Sequence, residues 1–200
     1  MAANSDQNKT NPYDEQMLTT LQNNVLAQSK SGSYDFDVNR TLLKIYQVYP
    51  EKANSEITAN ILALALMRLP HTDYVSLSFL VPVRLINNPQ VALVQNAAEL
   101  LQEGKFVQFW ELVEDSNSAI AIFQQNIFRK AIRNFIFGCI KNTFRDMRKD
   151  DFYALLDLNE NESDLMEFPF SVVSHTIQTL LHLFTPFVGT RGDCDIIDFR

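Results

Sequence analysis

The sequence ELLQEGKFVQFWELVED, residues Glu99–Asp115, predicts two amphipathic helices joined at Gly104. In the second helix, the large apolar residues recur at intervals of three and four, the spacing of one buried helix face: Phe106, Phe109, Trp110 and Val113. Gly104 can adopt the left-handed conformation that ends a helix, which would bring Leu100 and Leu101 back toward the same interior. The segment carries no catalytic pattern and indicates an α-helical scaffold.

The composition is that of a folded chain without a nucleotide-binding loop. The 200 residues are 46% hydrophobic and 20% charged, which is enough to bury a core. Only 5 residues are glycine, and neither of the common glycine-rich phosphate-binding patterns occurs. A net charge of −7 disfavours general affinity for nucleic acid, because such affinity depends on neutralising phosphates.

Cysteine usage and hydropathy indicate a reducing compartment. Cys139 and Cys194 are too few for a disulfide framework and lack the spacing of zinc ligands. The N-terminus has no apolar signal segment, and the longest apolar run, Ile61–Met67, is too short to span a bilayer. We therefore expect a cytoplasmic or nuclear protein with no metal, no cofactor and no membrane contact.

Helix signals recur along the first two thirds of the chain. Residues 1–12 predict a flexible tail, and further segments predict successive helices, at residues 13–28, 35–49, 56–69, 72–80 and 89–103. The expected N-caps are Asp35 or Asp37, then Ser55, then Thr72 or Asp73, and prolines end or kink three of these helices. Residues 118–141 predict a longer central helix that packs on several sides.

The C-terminal part has a different pattern. Short helices are expected at residues 150–158 and 172–184, and strand-like segments at 186–188 and 194–199 flank a Gly189–Gly192 hairpin loop. Helices followed by a small hairpin are the plan of a winged-helix domain. The predicted fold is therefore mostly α, a helical-repeat bundle at residues 13–141 followed by a winged-helix-like α+β end at 142–200, whose completeness the sequence leaves open.

Aromatic residues crowd into the C-terminal segment. Five phenylalanines are more than so short a stretch can readily bury: Phe168, Phe170, Phe184, Phe187 and Phe199. Monomeric proteins rarely leave a large aromatic patch in water. We therefore expect part of this set to dock onto a partner protein.

Seven of the 17 basic residues lie between positions 129 and 149, where Asp146 is the only acid. They are Arg129, Lys130, Arg133, Lys141, Arg145, Arg148 and Lys149. Such a run is a candidate RNA contact. It is more often a solvated face or a set of salt-bridge partners, and the acid-rich residues 150–167 could neutralise it internally.

Single residues that could bind a ligand or take part in catalysis have simpler structural interpretations. Trp110 and its aromatic neighbours could line a ligand or peptide pocket, but their in-phase spacing favours core packing. Cys139 lies between Phe137 and Ile140 and is interpreted as a small buried hydrophobe rather than a nucleophile. Because no nucleophile and base stand in a recognisable motif, we expect no enzymatic activity.

Three sequence blocks follow one another along the chain. They are YDFDVNRTLLKIYQVYP at residues 34–50, ALALMRLPHTDY at 63–74 and KFVQFW at 105–110. In order and spacing they resemble the patterns Y-D-x-x-x-N-x-x-x-L-K-x-Y-Q-x-x-P, A-L-x-x-L-P-H-T-D-F and H-F-x-x-F-W. These patterns are typical of the K-subunit family of eukaryotic translation initiation factor three.

The resemblance implies a PCI-class subunit, with a helical-repeat domain followed by a winged helix. It also implies a non-catalytic scaffold that docks onto other subunits, chiefly the factor's L subunit, during translation initiation at the small ribosomal subunit. The C-terminal phenylalanines would then contact another PCI subunit. A subunit of the proteasome lid or the COP9 signalosome, and an independent RNA-binding winged-helix protein, are the alternatives.

Overall fold

The computed structural model describes residues 15–115, 120–158 and 196–198. These residues form nine α-helices and two short strands, which confirms the mostly helical fold expected from the sequence. The helices are α1 (Glu15–Ser31), α2 (Phe36–Val48), α3 (Ser55–Leu66), α4 (Asp73–Ser78), α5 (Val83–Ile86), α6 (Pro89–Gln102), α7 (Phe106–Asp115), α8 (Asn126–Thr143) and α9 (Lys149–Leu156). The strands are β1 (Asp146–Arg148) and β2 (Ile196–Asp198).

The chain divides into two compact units. The first contains the described residues of Met1–Glu99 together with Val113–Ile132. The second contains Leu100–Leu112 and the described residues of Arg133–Arg200. Within the residues that the structure describes, no helix combines the length and the apolar character needed to cross a bilayer.

In the first unit, α3 lies at the centre of the core. All ten residues from Ile57 to Leu66 are buried, because leucine, isoleucine and alanine surround the helix axis instead of lining one face. Next to it, α2 buries an apolar stripe that includes Leu42, Ile45 and Tyr46. Gln22 of α1 donates a hydrogen bond to the Tyr46 hydroxyl at 2.9 Å. Helices α1 and α2 are therefore joined by polar contacts as well as by packing.

A second polar contact joins α1 to α2 and to its N-cap residue, and its bond between Gln28 and Asn39 is buried. The Oε1 of Gln28 accepts hydrogen bonds from the backbone N–H of Asp35 at 2.9 Å and from Nδ2 of Asn39 at 3.2 Å. The Asn39 side chain is inaccessible to solvent and Gln28 is 3% exposed. We call this contact the Gln28–Asn39 link.

The caps agree with the sequence in some places and differ in others. Asp35 caps α2, as predicted, by accepting a hydrogen bond from the Val38 N–H at 3.1 Å. The predicted Ser55 cap of α3 is wrong, because the Oδ1 of Asn54 accepts from Glu56 and Ile57. Asparagine reaches these N–H groups as well as serine does.

Several predicted boundaries shift by a few residues. Helix α1 continues to Ser31 instead of ending at residue 28, and Gly32, with φ +69°, ends it. Helix α3 ends at Leu66 rather than at residue 69, because the chain tightens into three-residue turns there: the N–H of Arg68 donates to the carbonyl of Ala65, and the N–H of Leu69 donates to that of Leu66. The four-residue helix α5 was not predicted.

The helix predicted at residues 118–141 is present as α8, but it begins later than expected and ends at Thr143. Ile120 is extended, Ala121–Gln124 form a 3-10 turn and Gln125 is again extended, so α8 begins only at Asn126. The Nε2 of Gln125 donates to the backbone carbonyl of Ser29 at 2.7 Å. That carbonyl belongs to the last turn of α1, where backbone acceptors have no partner within the helix.

The second unit contains the short sheet. Strand β2 falls inside the predicted 194–199 strand and pairs antiparallel with β1, with Met147 opposite Ile197. Strand β1 was not predicted, since three residues are too few to show an alternating pattern. The predicted helix 172–184, the strand 186–188 and the Gly189–Gly192 loop lie outside the described residues, as does the 1–12 tail.

Two glycines with positive φ provide a graded test of backbone strain. Gly32→Ala and Gly104→Ala should each destabilise the fold by roughly 1–2 kcal/mol, because the Cβ of alanine makes the left-handed backbone conformation unfavourable. Gly32→Ala should cost more, since its Cβ would lie 2.8 Å from the Cγ2 of Ile127, whereas Gly104 has no atom within 4 Å of the new Cβ. The midpoint of urea-induced unfolding measures the difference.

Gly138→Ala is the control for this series. Gly138 lies inside α8 with open space around its Cβ position, so alanine should stabilise the helix by roughly 0.5–1 kcal/mol. Equal losses of stability for Gly32→Ala and Gly104→Ala would show that the Cβ introduced at position 32 does not clash with Ile127.

Candidate interaction surfaces

Trp110 and Arg133 bind the carbonyl end of α9 within the second unit. The indole Nε1 of Trp110, from α7, donates to the carbonyl of Leu155 at 3.1 Å. The Nε of Arg133, from α8, donates to the carbonyl of Leu156 at 2.9 Å, and its Nη2 donates to the carbonyl of Asp157. The last carbonyls of a helix have no partner inside it, so these two side chains cap α9. We call this arrangement the α9 cap.

Electrostatics favours the same arrangement. The Arg133 side chain is 14% exposed and lies 3.6 Å from the Asp157 carboxylate. Its guanidinium also lies 5.6 Å from the centre of the Trp110 ring, within cation–π distance. The partial negative charge at the end of α9 adds to the attraction. Arg133 therefore has an internal structural role.

Trp110 is buried in the core of the second unit. It is 4% exposed, and its ring meets Phe109 edge to face with centroids 5.0 Å apart. Phe106 and Phe109 of the same unit are also buried, and so is Val113, which belongs to the first unit; the spacing predicts all three. The core interpretation of this aromatic set is confirmed, and the ring offers no open face to a ligand.

The structure describes all seven residues of the basic run and gives them different roles. Arg129 and Lys130 belong to the first unit, and the other five belong to the second. Arg148 binds both carboxylate oxygens of Asp151, at 2.9 and 3.0 Å, and Lys149 lies 5.7 Å from the centre of the Tyr153 ring. The residues with exposed side chains and no described contact are Lys130, Lys141 and Arg145. The five C-terminal phenylalanines lie outside the described residues.

The first two sequence blocks meet around Tyr34. The guanidinium of Arg68 lies 5.8 Å from the centre of the Tyr34 ring. Burial raises the pKa of the Tyr34 hydroxyl, and the nearby carboxylate of Asp73 raises it further. The hydroxyl therefore stays protonated at neutral pH, and this cluster packs the chain together rather than supplying a base.

Two other ionisable groups, the Cys139 thiol and the Tyr74 hydroxyl, are also held in their neutral form. Partial burial raises the pKa of the Cys139 thiol, which disfavours the nucleophilic thiolate. The residue is half-buried, however, and not fully buried as the sequence predicted. Burial, followed by the carboxylate of Glu99, raises the pKa of Tyr74 to about 12. Across the described ranges, no cluster of three or more histidine, cysteine, aspartate or glutamate side chains could hold a metal ion.

The second unit also contains an open groove of about 520 Å³. Its apolar lining is Val107, Phe144, Met147, Ala154 and Leu155, and Asp146, Arg148 and Asp151 add charge. The Arg148–Asp151 ion pair is internal to this lining, which leaves little net charge to select a ligand. The groove lies beside β1.

Sequence reasoning missed an exposed apolar surface on α4 and α5. Val75, Phe79, Val83 and Ile86 are exposed there, two of them by more than four fifths. A signal was available, because residues 74–98 contain one charged residue before Glu99, namely Arg84.

Trp110→Ala should destabilise the protein by about 3–5 kcal/mol, the usual loss for a large buried aromatic. The variant would also leave the Leu155 carbonyl without its donor. The stability of Trp110→Phe should fall between that of the unmodified protein and that of Trp110→Ala, since phenylalanine keeps most of the packing and loses the indole N–H. Urea denaturation measures the change, and an unaltered midpoint for Trp110→Ala would contradict the burial.

Arg133→Met should destabilise the protein by about 1.5–3 kcal/mol, because hydrogen bonds from a charged donor are lost and two carbonyls remain unsatisfied. Lys141→Met, at an exposed position of the same helix, is the control and should change stability by less than about 0.5 kcal/mol. Equal stability of the Arg133→Met and Lys141→Met variants would contradict the role of Arg133 in stabilising the C-terminal end of α9.

Comparison with known proteins agrees with the motif blocks. Residues 52–171 match the model of the CSN8/PSMD8/EIF3K family. The chain is 32% identical over 144 residues to eukaryotic translation initiation factor 3 subunit K of Drosophila sechellia, and 33% identical to that of Drosophila yakuba. Each alignment covers 72% of this chain and 64% of the relative, so the chain spans less than two thirds of these relatives. The protein belongs to the CSN8/PSMD8/EIF3K family.

Proposed function

We propose that this protein is a non-catalytic scaffold subunit of eukaryotic translation initiation factor three. The observation that carries the proposal is the alignment with relatives named subunit K of that factor, over 72% of the chain. The family description also covers proteins of other assemblies. The relatives at about one third identity carry the initiation-factor name, and this favours the factor over a proteasome-lid or signalosome subunit.

Docking is the mechanism that fits this proposal. The residues of the three blocks build the cores of the two units, as Tyr46 and Trp110 illustrate, and leave no open catalytic cleft among them. A protein of this kind would act through its surface. Its main partner would be the factor's L subunit, and it would reach the small ribosomal subunit through the complex, in the cytoplasm.

The C-terminal phenylalanines remain the proposed contact with a neighbouring PCI subunit. The support is their number in a short segment, which favours exposure of at least some of them. Direct RNA contact is a weaker part of the proposal. Lys130, Lys141 and Arg145 are exposed and could touch phosphates, but Arg133 and Arg148 are engaged with acceptors of this chain.

Affinity purification of the tagged full chain from its source cells tests the proposal. Subunits of initiation factor three should be recovered, with the L subunit prominent, and the chain should sediment with the small ribosomal subunit. Nuclease treatment should leave the association with the L subunit intact, because protein contacts carry it. Recovery of proteasome-lid or signalosome subunits instead would overturn the assignment, and complete release by nuclease would favour RNA binding.

Phe187→Ser combined with Phe199→Ser tests the phenylalanine contact in the same assay. The double variant should recover the other subunits poorly while its melting temperature stays close to that of the unmodified chain. Exposed Phe144 provides the control, since Phe144→Ser removes an aromatic ring of the second unit outside the proposed set. Unchanged recovery with the double variant would place the contact elsewhere.

A further inference from the structure

The first unit contains a partly enclosed cavity of about 170 Å³. Its walls come from the last two turns of α1, the first two turns of α3, the start of α6 and the 3-10 turn before α8. The apolar part of the lining is Leu26, Ala59, Ile120 and Ile122. A cavity of about 150 Å³ can hold a molecule the size of benzene, whereas drug-sized ligands occupy about 300 Å³ or more. This cavity therefore has room for a small molecule or for part of one.

Asn60 supplies the cavity with a buried amide that has no partner. The residue is 8% exposed and lines the cavity from α3. Within the described ranges, its side chain takes part in no hydrogen bond. An unpaired buried amide is unfavourable, and polar groups in protein interiors almost always have a partner. An unpaired amide in the cavity wall therefore points to a polar occupant.

Gln125 places a second amide in the lining of the cavity. Its Nε2 donates to the backbone carbonyl of Ser29 at 2.7 Å, which holds the amide in place and leaves its Oε1 as an acceptor. Asn60 offers both N–H donors and an acceptor oxygen. Together, the two side chains can donate to a carbonyl oxygen and accept from an NH₂ group. A carboxamide carries both of these groups, whereas a carboxylate can only accept.

Two residues of opposite charge line the same cavity. Lys30 and Glu56 are exposed, so their charged groups lie toward its opening. Neither residue forms an ion pair within the part of the chain that the structure describes. An ammonium and a carboxylate that do not pair with each other at one opening complement a ligand that carries the same two groups close together. A free amino acid is such a ligand, and a residue within a peptide is not.

The spacing along α3 selects the length of the ligand. Glu56 and Asn60 are four residues apart, so they lie on the same face of the helix and are separated by about 6 Å along its axis. An amino acid whose ammonium group pairs with Glu56 has to reach Asn60 over this distance. Glutamine in an extended conformation reaches it, whereas asparagine has one methylene group fewer and falls short.

We infer that this cavity binds free L-glutamine. The carboxamide enters the cavity and bonds to Asn60 and Gln125, while the ammonium and carboxylate groups stay at the opening and pair with Glu56 and Lys30. The inference goes beyond the proposed scaffold function and does not rest on it. Because a ligand that binds only the folded chain stabilises it, glutamine would also make the stability of the first unit depend on its concentration.

Isothermal titration calorimetry of the full chain tests the ligand. L-Glutamine should bind at one site, and L-glutamate should bind more weakly by about tenfold or more, because its carboxylate cannot donate to either amide oxygen. The blocked compound N-acetyl-L-glutamine methylamide should also bind more weakly, since it lacks both charges. Equal or tighter binding of the blocked compound would assign the cavity to a side chain of a partner protein and overturn the inference. Absence of saturable binding at millimolar glutamine would show that the cavity holds only water, and would also overturn it.

Asn60→Leu separates binding from folding. Leucine removes the unpaired amide and extends into the cavity, so the midpoint of urea-induced unfolding should stay the same or rise. The affinity for glutamine should fall by about tenfold or more. Asn23→Leu, at an exposed position of α1, is the matched control and should leave the affinity unchanged. A lower midpoint for Asn60→Leu would show that the amide already has a partner, and an unchanged affinity would show that glutamine binds elsewhere. Either result overturns the inference.

The charged residues at the opening are tested with a neutral probe as the control. Lys30→Met and Glu56→Gln should each weaken glutamine binding by about threefold or more, the range of exposed ion pairs. Butyramide keeps the carboxamide of glutamine without its charges and should bind the unmodified chain and both variants equally. Both positions are exposed, so the melting temperature should stay close to that of the unmodified chain. Unchanged glutamine affinity in either variant, or an equal loss of butyramide binding, would overturn the assignment of these charges to the ligand.

Discussion

The capping of α9 by side chains of two other helices is the interaction on which the second unit depends. Helix α9 has eight residues, and isolated helices of that length are not stable in water. Its terminal carbonyls receive hydrogen bonds from Trp110 and Arg133 instead of water. Asp157 leaves the helix in the left-handed conformation, with φ 51°, and the N–H of Leu158 returns to the carbonyl of Tyr153.

The sequence predicts those features that are stabilised by interactions between residues close together in the chain. The α7 face, the turn at Gly104, the Asp35 cap and the opening of α6 at Pro89 each follow from residues within one or two helical turns. It does not predict the break before α8, because Gln125 bonds to Ser29, a residue 96 positions away. The same holds for Arg133, because the carbonyls that accept its hydrogen bonds, those of Leu156 and Asp157, lie more than twenty residues further on. Periodicity carries no information about such pairings.

The sequence blocks that connect the chain to its family encode packing rather than chemistry. Tyr34, Arg68 and Asp73 come from two blocks and form one cluster, and Trp110 of the third block lies in the core of its unit. Family membership therefore explains the fold more directly than it explains the surface.

The Gln28–Asn39 link has a consequence for how α1 and α2 find each other. Apolar side chains alone would tolerate a slide of one helix along the other by a turn, since leucine packs nearly as well against a neighbouring leucine. A slide would separate the Gln28 carbonyl oxygen from both of its donors, one of which, the Nδ2 of Asn39, lies in a buried contact, and the Asn39 Oδ1 already has no partner among the described residues. Buried amides of this kind set the register of helical pairs at some expense of stability. The Gln28–Asn39 link thus favours a single register of α1 against α2, and this specificity costs some of the free energy of folding.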